Sequence, residues 1–91
     1  MSALSIPVTA TQGQYLAFIH AYTTLHRRAP AETDFQAFFR VTPPTVHRMI
    51  VTLHERGLIT RVPGQPRSIM LLVPPEQLPP LQSIETPATG Y

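Results

Sequence analysis

The chain has 91 residues, 11 of them proline and none cysteine; this limits it to one small domain with a modest core and excludes disulfides, thiol catalysis and cysteine-based zinc sites. Hydrophobic residues make up 43% and charged residues 13%, so wholesale disorder is not expected. All seven cations are arginine, and the absence of lysine excludes serine–lysine dyads, Schiff-base chemistry and a Walker-type phosphate loop.

In chain order, Thr9 with Gln12 three residues on forms a capping-box start, in which the Thr side chain accepts from an early amide and Gln reaches back. Tyr15, Leu16, Phe18, Ile19 and Tyr22 then recur at helical spacing up to Leu25 and His26, with Gly13 weakening the first turn. Arg27-Arg28-Ala29-Pro30 breaks this helix, because the residue before proline avoids the helical region. A short second helix is predicted over Glu32 to Phe39, with Phe35, Phe38 and Phe39 as its apolar face and two acids in its first turn, where the helix dipole favours them.

The third helix has the clearest pattern. Thr42 is placed to cap it, and Pro43 and Pro44 occupy the first turn, where a missing amide hydrogen costs little. Val46, Met49, Ile50 and Leu53 fall at i, i+3, i+4 and i+7, and Gly57 follows as a left-handed cap, which together mark a core stripe and its end. The period then changes to 2. Leu58 to Val62 and Arg67 to Val73 read as two strands around the turn Pro63-Gly64-Gln65-Pro66, with Ile69, Leu71 and Val73 on the face that covers the helices. From Pro74 onward the repeated prolines predict an extended tail of polyproline character without regular structure; Leu78 and Leu81 are the residues able to pack back.

This order of elements is that of a winged helix-turn-helix: mainly α with a small β-hairpin wing, a three-helix bundle plus a two-stranded antiparallel wing. The expected division is a DNA-binding domain over residues 1–73 and a Pro-rich extended tail over 74–91. Net charge is +2, but all the arginines lie between Arg27 and Arg67, where only Glu32, Asp34 and Glu55 oppose them. A basic middle of this kind suits an anionic partner, most often nucleic acid, although surface arginines are often merely solvated.

The segment Thr45-Val46-His47-Arg48-Met49-Ile50, continued by Leu53-His54-Glu55-Arg56-Gly57-Leu58-Ile59 and by Pro63-Gly64-Gln65-Pro66-Arg67-Ser68-Ile69, resembles the amino-terminal DNA-binding domain of the LexA repressor family. With Gln12, Phe18-Ile19 and Pro30 the resemblance covers roughly residues 4–73. It implies a sequence-specific regulator of bacterial transcription that represses by occupying an operator in double-stranded DNA, in the cytoplasm and at the nucleoid. Oligomeric state is left open: a single such domain makes few base contacts, for which a homodimer on a two-fold site is the usual remedy, and no heptad seam is visible for it. LexA repressors further carry a self-cleaving domain with a serine–lysine pair; the chain has no lysine, so self-cleavage is not expected. Arg40 stands where the family usually has glycine.

Thr42, Pro44, Thr45, His47 and Arg48 occupy positions that resemble the family's contact positions. Arg48 has the chemistry to grip guanine O6 and N7 with two hydrogen bonds. Thr45 can meet phosphate or a thymine methyl, and His47 can donate or accept according to tautomer. Gly64 and Gln65 at the wing tip, with Arg61 and Arg67 on the strands, are placed for the DNA backbone or minor groove; Arg67 is expected to meet backbone alone. Arg27 and Arg28 fit as phosphate clamps. Each has a plainer alternative: a solvated arginine, an ordinary hairpin tip, cations at the carbonyl end of the first helix.

No serine has a histidine at triad spacing, and the four histidines lack the spacing of a metal site, so no catalysis, metal, cofactor or small-molecule substrate is expected. The longest uncharged stretch, residues 1–26, is threaded with Thr, Gln, Gly and His, and no membrane span is expected. The alternative function is a winged-helix protein–protein interaction module or adaptor subunit, because the fold serves both purposes.

Overall fold

The computed structural model of the protein describes residues 8–82. Helix α1 (Ala10–His26), α2 (Glu32–Phe39) and α3 (Pro43–Glu55) are followed by strands β1 (Ile59–Thr60) and β2 (Met70–Leu71) and a single 3-10 turn at Pro75–Gln77. The two strands pair antiparallel, Ile59 with Leu71 and Thr60 with Met70. This is a winged helix-turn-helix.

Local chemistry sets the helix starts. At α1 the Thr9 hydroxyl accepts from the Gln12 amide at 3.1 Å, and Gln12 Oε1 accepts from the Thr9 amide at the same distance, the reciprocal capping box. Ala31 precedes α2 and has no side-chain oxygen, but Asp34 Oδ2 accepts its amide at 2.7 Å. At α3, Pro43 and Pro44 fill the first two positions, so two of the amides that would otherwise lack partners do not exist. Thr42 holds the N-cap position but makes no capping bond, contrary to expectation. With no amide hydrogen on Pro44, its hydroxyl pairs instead with that of Thr45 at 2.9 Å.

Helix ends need left-handed backbone. After α3, Gly57 takes φ +75°, the Gly57 amide donates to His54 O and the Leu58 amide to Leu53 O, each at 3.0 Å; this is the Schellman arrangement. α1 and α2 end on arginines in the same region, Arg27 at φ +61° and Arg40 at φ +57°. The glycine usual in the family at the second position is explained: the turn into α3 requires a positive φ, which Arg40 adopts.

The core gathers Tyr15, Leu16, Phe18 and Ile19 of α1, Phe35 and Phe39 of α2, Val46, Ile50 and Leu53 of α3, and Ile59 and Ile69 of the wing. Tyr15 stacks on Phe39 with centroids 4.4 Å apart and planes 1° apart, and Phe18 meets Phe35 at 5.0 Å. Burial among these rings pushes the Tyr15 phenol above its ordinary pKa.

The strands are shorter than the expected Leu58–Val62 and Arg67–Val73. One further ladder bond joins the Leu72 amide to Leu58 O at 3.0 Å. Beyond Thr60 a side chain takes over: Ser68 Oγ accepts from the Val62 amide at 2.9 Å and lies 2.9 Å from Gln65 O, so those backbone groups are satisfied without a ladder. Alternation survives, with Ile69 and Val73 buried and Met70 and Leu72 exposed.

The expectation of no regular structure after Pro74 is corrected at the Pro75–Gln77 turn, and this stretch lies along α1. Gln14 Nε2 donates to Pro80 O at 3.0 Å, and Gln14 Oε1 accepts from the Gln82 amide at 2.8 Å. Leu78 and Leu81 pack on the core, and a Cβ placed on Gly13 would lie 3.1 Å from Pro79 Cγ. Residues 83–91 of the expected tail lie outside the described residues.

Candidate nucleic-acid interface

Helix α3 divides its residues cleanly. Val46, Ile50 and Leu53 are fully buried, so the intervening Thr45, His47 and Arg48 are left exposed, with Thr42, Pro43 and Pro44 exposed ahead of them. The apolar stripe thereby turns one polar face outward. The Arg48 carbonyl accepts from Thr52 Oγ1 at 2.9 Å, while its guanidinium has no hydrogen-bond partner among the described residues. A guanidinium so presented can fork onto a planar pair of acceptors.

His47 is held from the neighbouring helix. Its Nδ1 lies 3.3 Å from Glu32 Oε2, with the two side chains 57% and 35% exposed. The sequence marks Glu32 as a dipole-favoured acid and gives no sign of its pairing with His47, because their separation of 15 residues leaves no local signal.

The wing tip is a tight turn. The Gln65 amide donates to Val62 O at 3.0 Å, and Gly64 between them takes φ +81°, a conformation that suits glycine behind proline. Gly64 and Gln65 are exposed at this tip, as are Arg27 and Arg28 between α1 and α2. Arg61 just past β1 is half-buried, and its Nε is enclosed with no partner among the described residues. It lines a cleft of about 360 Å³ shared by the start of α2 and the wing turn.

Arg67 departs from its expected place. It is not on a strand but in a turn at φ +61°, with its guanidinium directed inward. Nη1 lies 3.1 Å from the Tyr22 hydroxyl, 3.0 Å from Ala29 O and 3.2 Å from Asp34 Oδ2, and the group sits 5.9 Å from the Tyr22 ring centroid. These acceptors lie 33 to 45 residues away in sequence, so the spacing of the wing residues gave no hint of them. Arg67 thus ties the wing to α1, the α1–α2 connection and α2 at once. Arg56 makes a comparable link from the end of α3, donating to Gln12 Oε1 at 3.2 Å.

Among the described residues no helix is long and apolar enough to cross a membrane, and no three of His, Asp and Glu converge.

No protein-family model matches the chain. Curated relatives do, among them two LexA repressors. The LexA repressor of Thermosipho africanus (strain TCF52B) is 35% identical over 69 residues, which cover 76% of this chain and 35% of the relative. That of Thermosipho melanesiensis is 34% identical over 65 residues, covering 71% of this chain and 33% of the relative. The chain therefore matches about a third of the length of these relatives.

Proposed function

This chain carries a winged helix-turn-helix domain of the LexA repressor family, and on that premise we propose that it is a sequence-specific, double-stranded DNA-binding regulator of transcription. It acts as a repressor, by occupying an operator and not by catalysis, in the bacterial cytoplasm. The observation that supports this most is the division of α3: Val46, Ile50 and Leu53 inward, Thr45, His47 and Arg48 outward. The outward groups lie in the first turns of the helix, the part that enters the major groove in this fold.

In this reading Arg48, Thr45 and His47 meet base edges, while Thr42 and Pro44 set the approach of the helix start. Arg27 and Arg28 clamp phosphates, and Gly64 and Gln65 at the wing tip lie against the backbone. Arg67 holds the wing in place rather than meeting phosphate, since its Nη1 faces Tyr22, Ala29 and Asp34. Two copies bind a two-fold site, which doubles the few base contacts one domain makes.

A salt titration of duplex binding tests the proposal. Log affinity should fall linearly with log salt, by about 0.9 per phosphate neutralised, with about three to five contacts per protomer. Absence of duplex binding at low salt would shift the assignment to a protein-interaction module.

A further inference from the structure

We infer that Glu32, a residue of α2 outside the recognition helix, determines which bases His47 can read by holding the imidazole proton on Nδ1. The inference rests on the reading of α3 as the DNA-reading helix. Glu32 Oε2 lies 3.3 Å from His47 Nδ1, and an ionised carboxylate can only accept. In the neutral ring, Nδ1 must therefore carry the hydrogen. Nε2 is left with its lone pair, and the ring is 57% exposed. An imidazole in water favours the opposite tautomer, with the hydrogen on Nε2.

The pair is fixed by the fold. Glu32 is the first residue of α2, where a negative charge is favoured by the helix dipole. The cap at this end is made by Asp34, whose Oδ2 takes the Ala31 amide at 2.7 Å, so Glu32 is not engaged in capping. Helices α2 and α3 pack directly on each other, which sets Glu32 beside the second turn of α3. His47 is the hydrogen-bond partner of this carboxylate among the described residues.

The consequence for base reading is a matter of donors and acceptors. In the major groove, adenine N6 and cytosine N4 are donors, whereas guanine O6 and N7, adenine N7 and thymine O4 are acceptors. A bare Nε2 can accept from adenine or cytosine, and it sets lone pair against lone pair at guanine or at thymine O4. With the hydrogen on Nε2, guanine and thymine become partners and cytosine, which offers only a donor, is lost; adenine serves either tautomer, through N6 or through N7. Glu32 is thus a positioning residue for specificity: it touches no base, and it chooses the proton that His47 presents.

The test uses the full chain, ¹⁵N-labelled at histidine, and two variants. Glu32→Ala removes the acceptor. Glu32→Lys replaces it with a group that can only donate, which demands a bare Nδ1 and so moves the proton to Nε2. Circular dichroism verifies that each variant folds. Long-range ¹H–¹⁵N correlation at pH about 9, where imidazole is neutral, reads the tautomer without DNA; a His47→Gln spectrum identifies the resonance. The native chain should show a protonated Nδ1, and both variants a protonated Nε2. A protonated Nε2 in the native chain overturns the inference. Selection from a random duplex pool then reads the consequence: at one position guanine or thymine, disfavoured by the native chain, should be admitted by the variants, with a change of about fivefold or more, as expected for one hydrogen bond. Specific binding with unchanged preference at every position overturns the inference and leaves the DNA reading standing. Failure of all three proteins to bind duplex overturns both, even with the expected tautomers.

Discussion

Arg67 and Asp34 meet across the joint between wing and bundle: Nη1 of the first lies 3.2 Å from Oδ2 of the second, and that same oxygen accepts the Ala31 amide at 2.7 Å. One carboxylate oxygen thus begins α2 and anchors the wing. Arg67→Ala should destabilise the domain measurably but moderately, because both groups keep contact with solvent. Asp34→Ala should cost more, since it removes the cap as well. The double variant should lose less than the sum, as expected of residues in one network. Urea denaturation of the four proteins measures this, and additive losses would show that the two residues act independently.

Arg48 separates reading from clamping. Its exposed guanidinium should grip a guanine with two hydrogen bonds, a contact whose removal typically costs about 1–3 kcal/mol on sequences containing that base. Arg48→Ala should shrink the ratio of specific to random duplex affinity while the circular dichroism spectrum stays unchanged. A preserved ratio, in competition binding, would remove the base-reading role from this residue.

Arg27 combines a strained backbone with a useful charge. At φ +61° a residue with a Cβ is disfavoured by about 1 kcal/mol relative to glycine. Arg27→Gly should therefore raise thermal stability in the free protein and yet weaken duplex binding, reducing the salt slope by about one unit. A scan of melting temperature alongside the salt titration tests both halves. Stabilisation without loss of affinity would place Arg27 outside the interface.

Gly13 and Pro79 give a test of the strap along α1. Alanine in a helix is favoured over glycine by about 1 kcal/mol, but here its Cβ would sit 3.1 Å from Pro79 Cγ. Gly13→Ala alone should gain little or lose stability. In a Pro79→Ala background the same change should stabilise by about 1 kcal/mol. Equal effects in both backgrounds would mean that residues 75–82 do not rest on α1 in solution.

The buried Tyr15 phenol makes stability depend on alkaline pH. Its pKa is raised in the folded state, so above the ordinary value of about 10 the unfolded chain loses this proton first. The folded state then binds more protons than the unfolded one, and stability falls as pH rises. Tyr15→Phe keeps the ring stack and should flatten the decline between pH about 9.5 and 11. Denaturation midpoints across that range decide it.

What was legible in the sequence is what local chemistry controls. Thr9 and Gln12 mark the start of α1, Pro43 and Pro44 that of α3, and Gly57 its end, because caps and breakers act within a few residues. Val46, Ile50 and Leu53 identify themselves by spacing alone. The inward turn of Arg67 was not legible, since its acceptors belong to three segments brought together by the fold. The clamp of Gln14 on Pro80 and Gln82 spans 66 and 68 residues and carries no pattern of its own; Leu78 and Leu81 were its only trace. Exposure of Thr45, His47 and Arg48 followed from the stripe, but the hold of Glu32 on His47 did not.

The left-handed backbone at Arg27, Arg40 and Arg67 bears on how such a sequence can change. Every arginine codon is one base substitution from a glycine codon. At these three positions, then, a single mutational step exchanges a cation for the residue the backbone favours, and the reverse step restores it. Elsewhere in the helices the same step would remove a charge and also weaken the helix by about 1 kcal/mol. The ends of α1 and α2 are thus the points at which this domain can gain or shed positive charge with the least disturbance to its fold, while at Arg67 the same exchange would unfasten the wing.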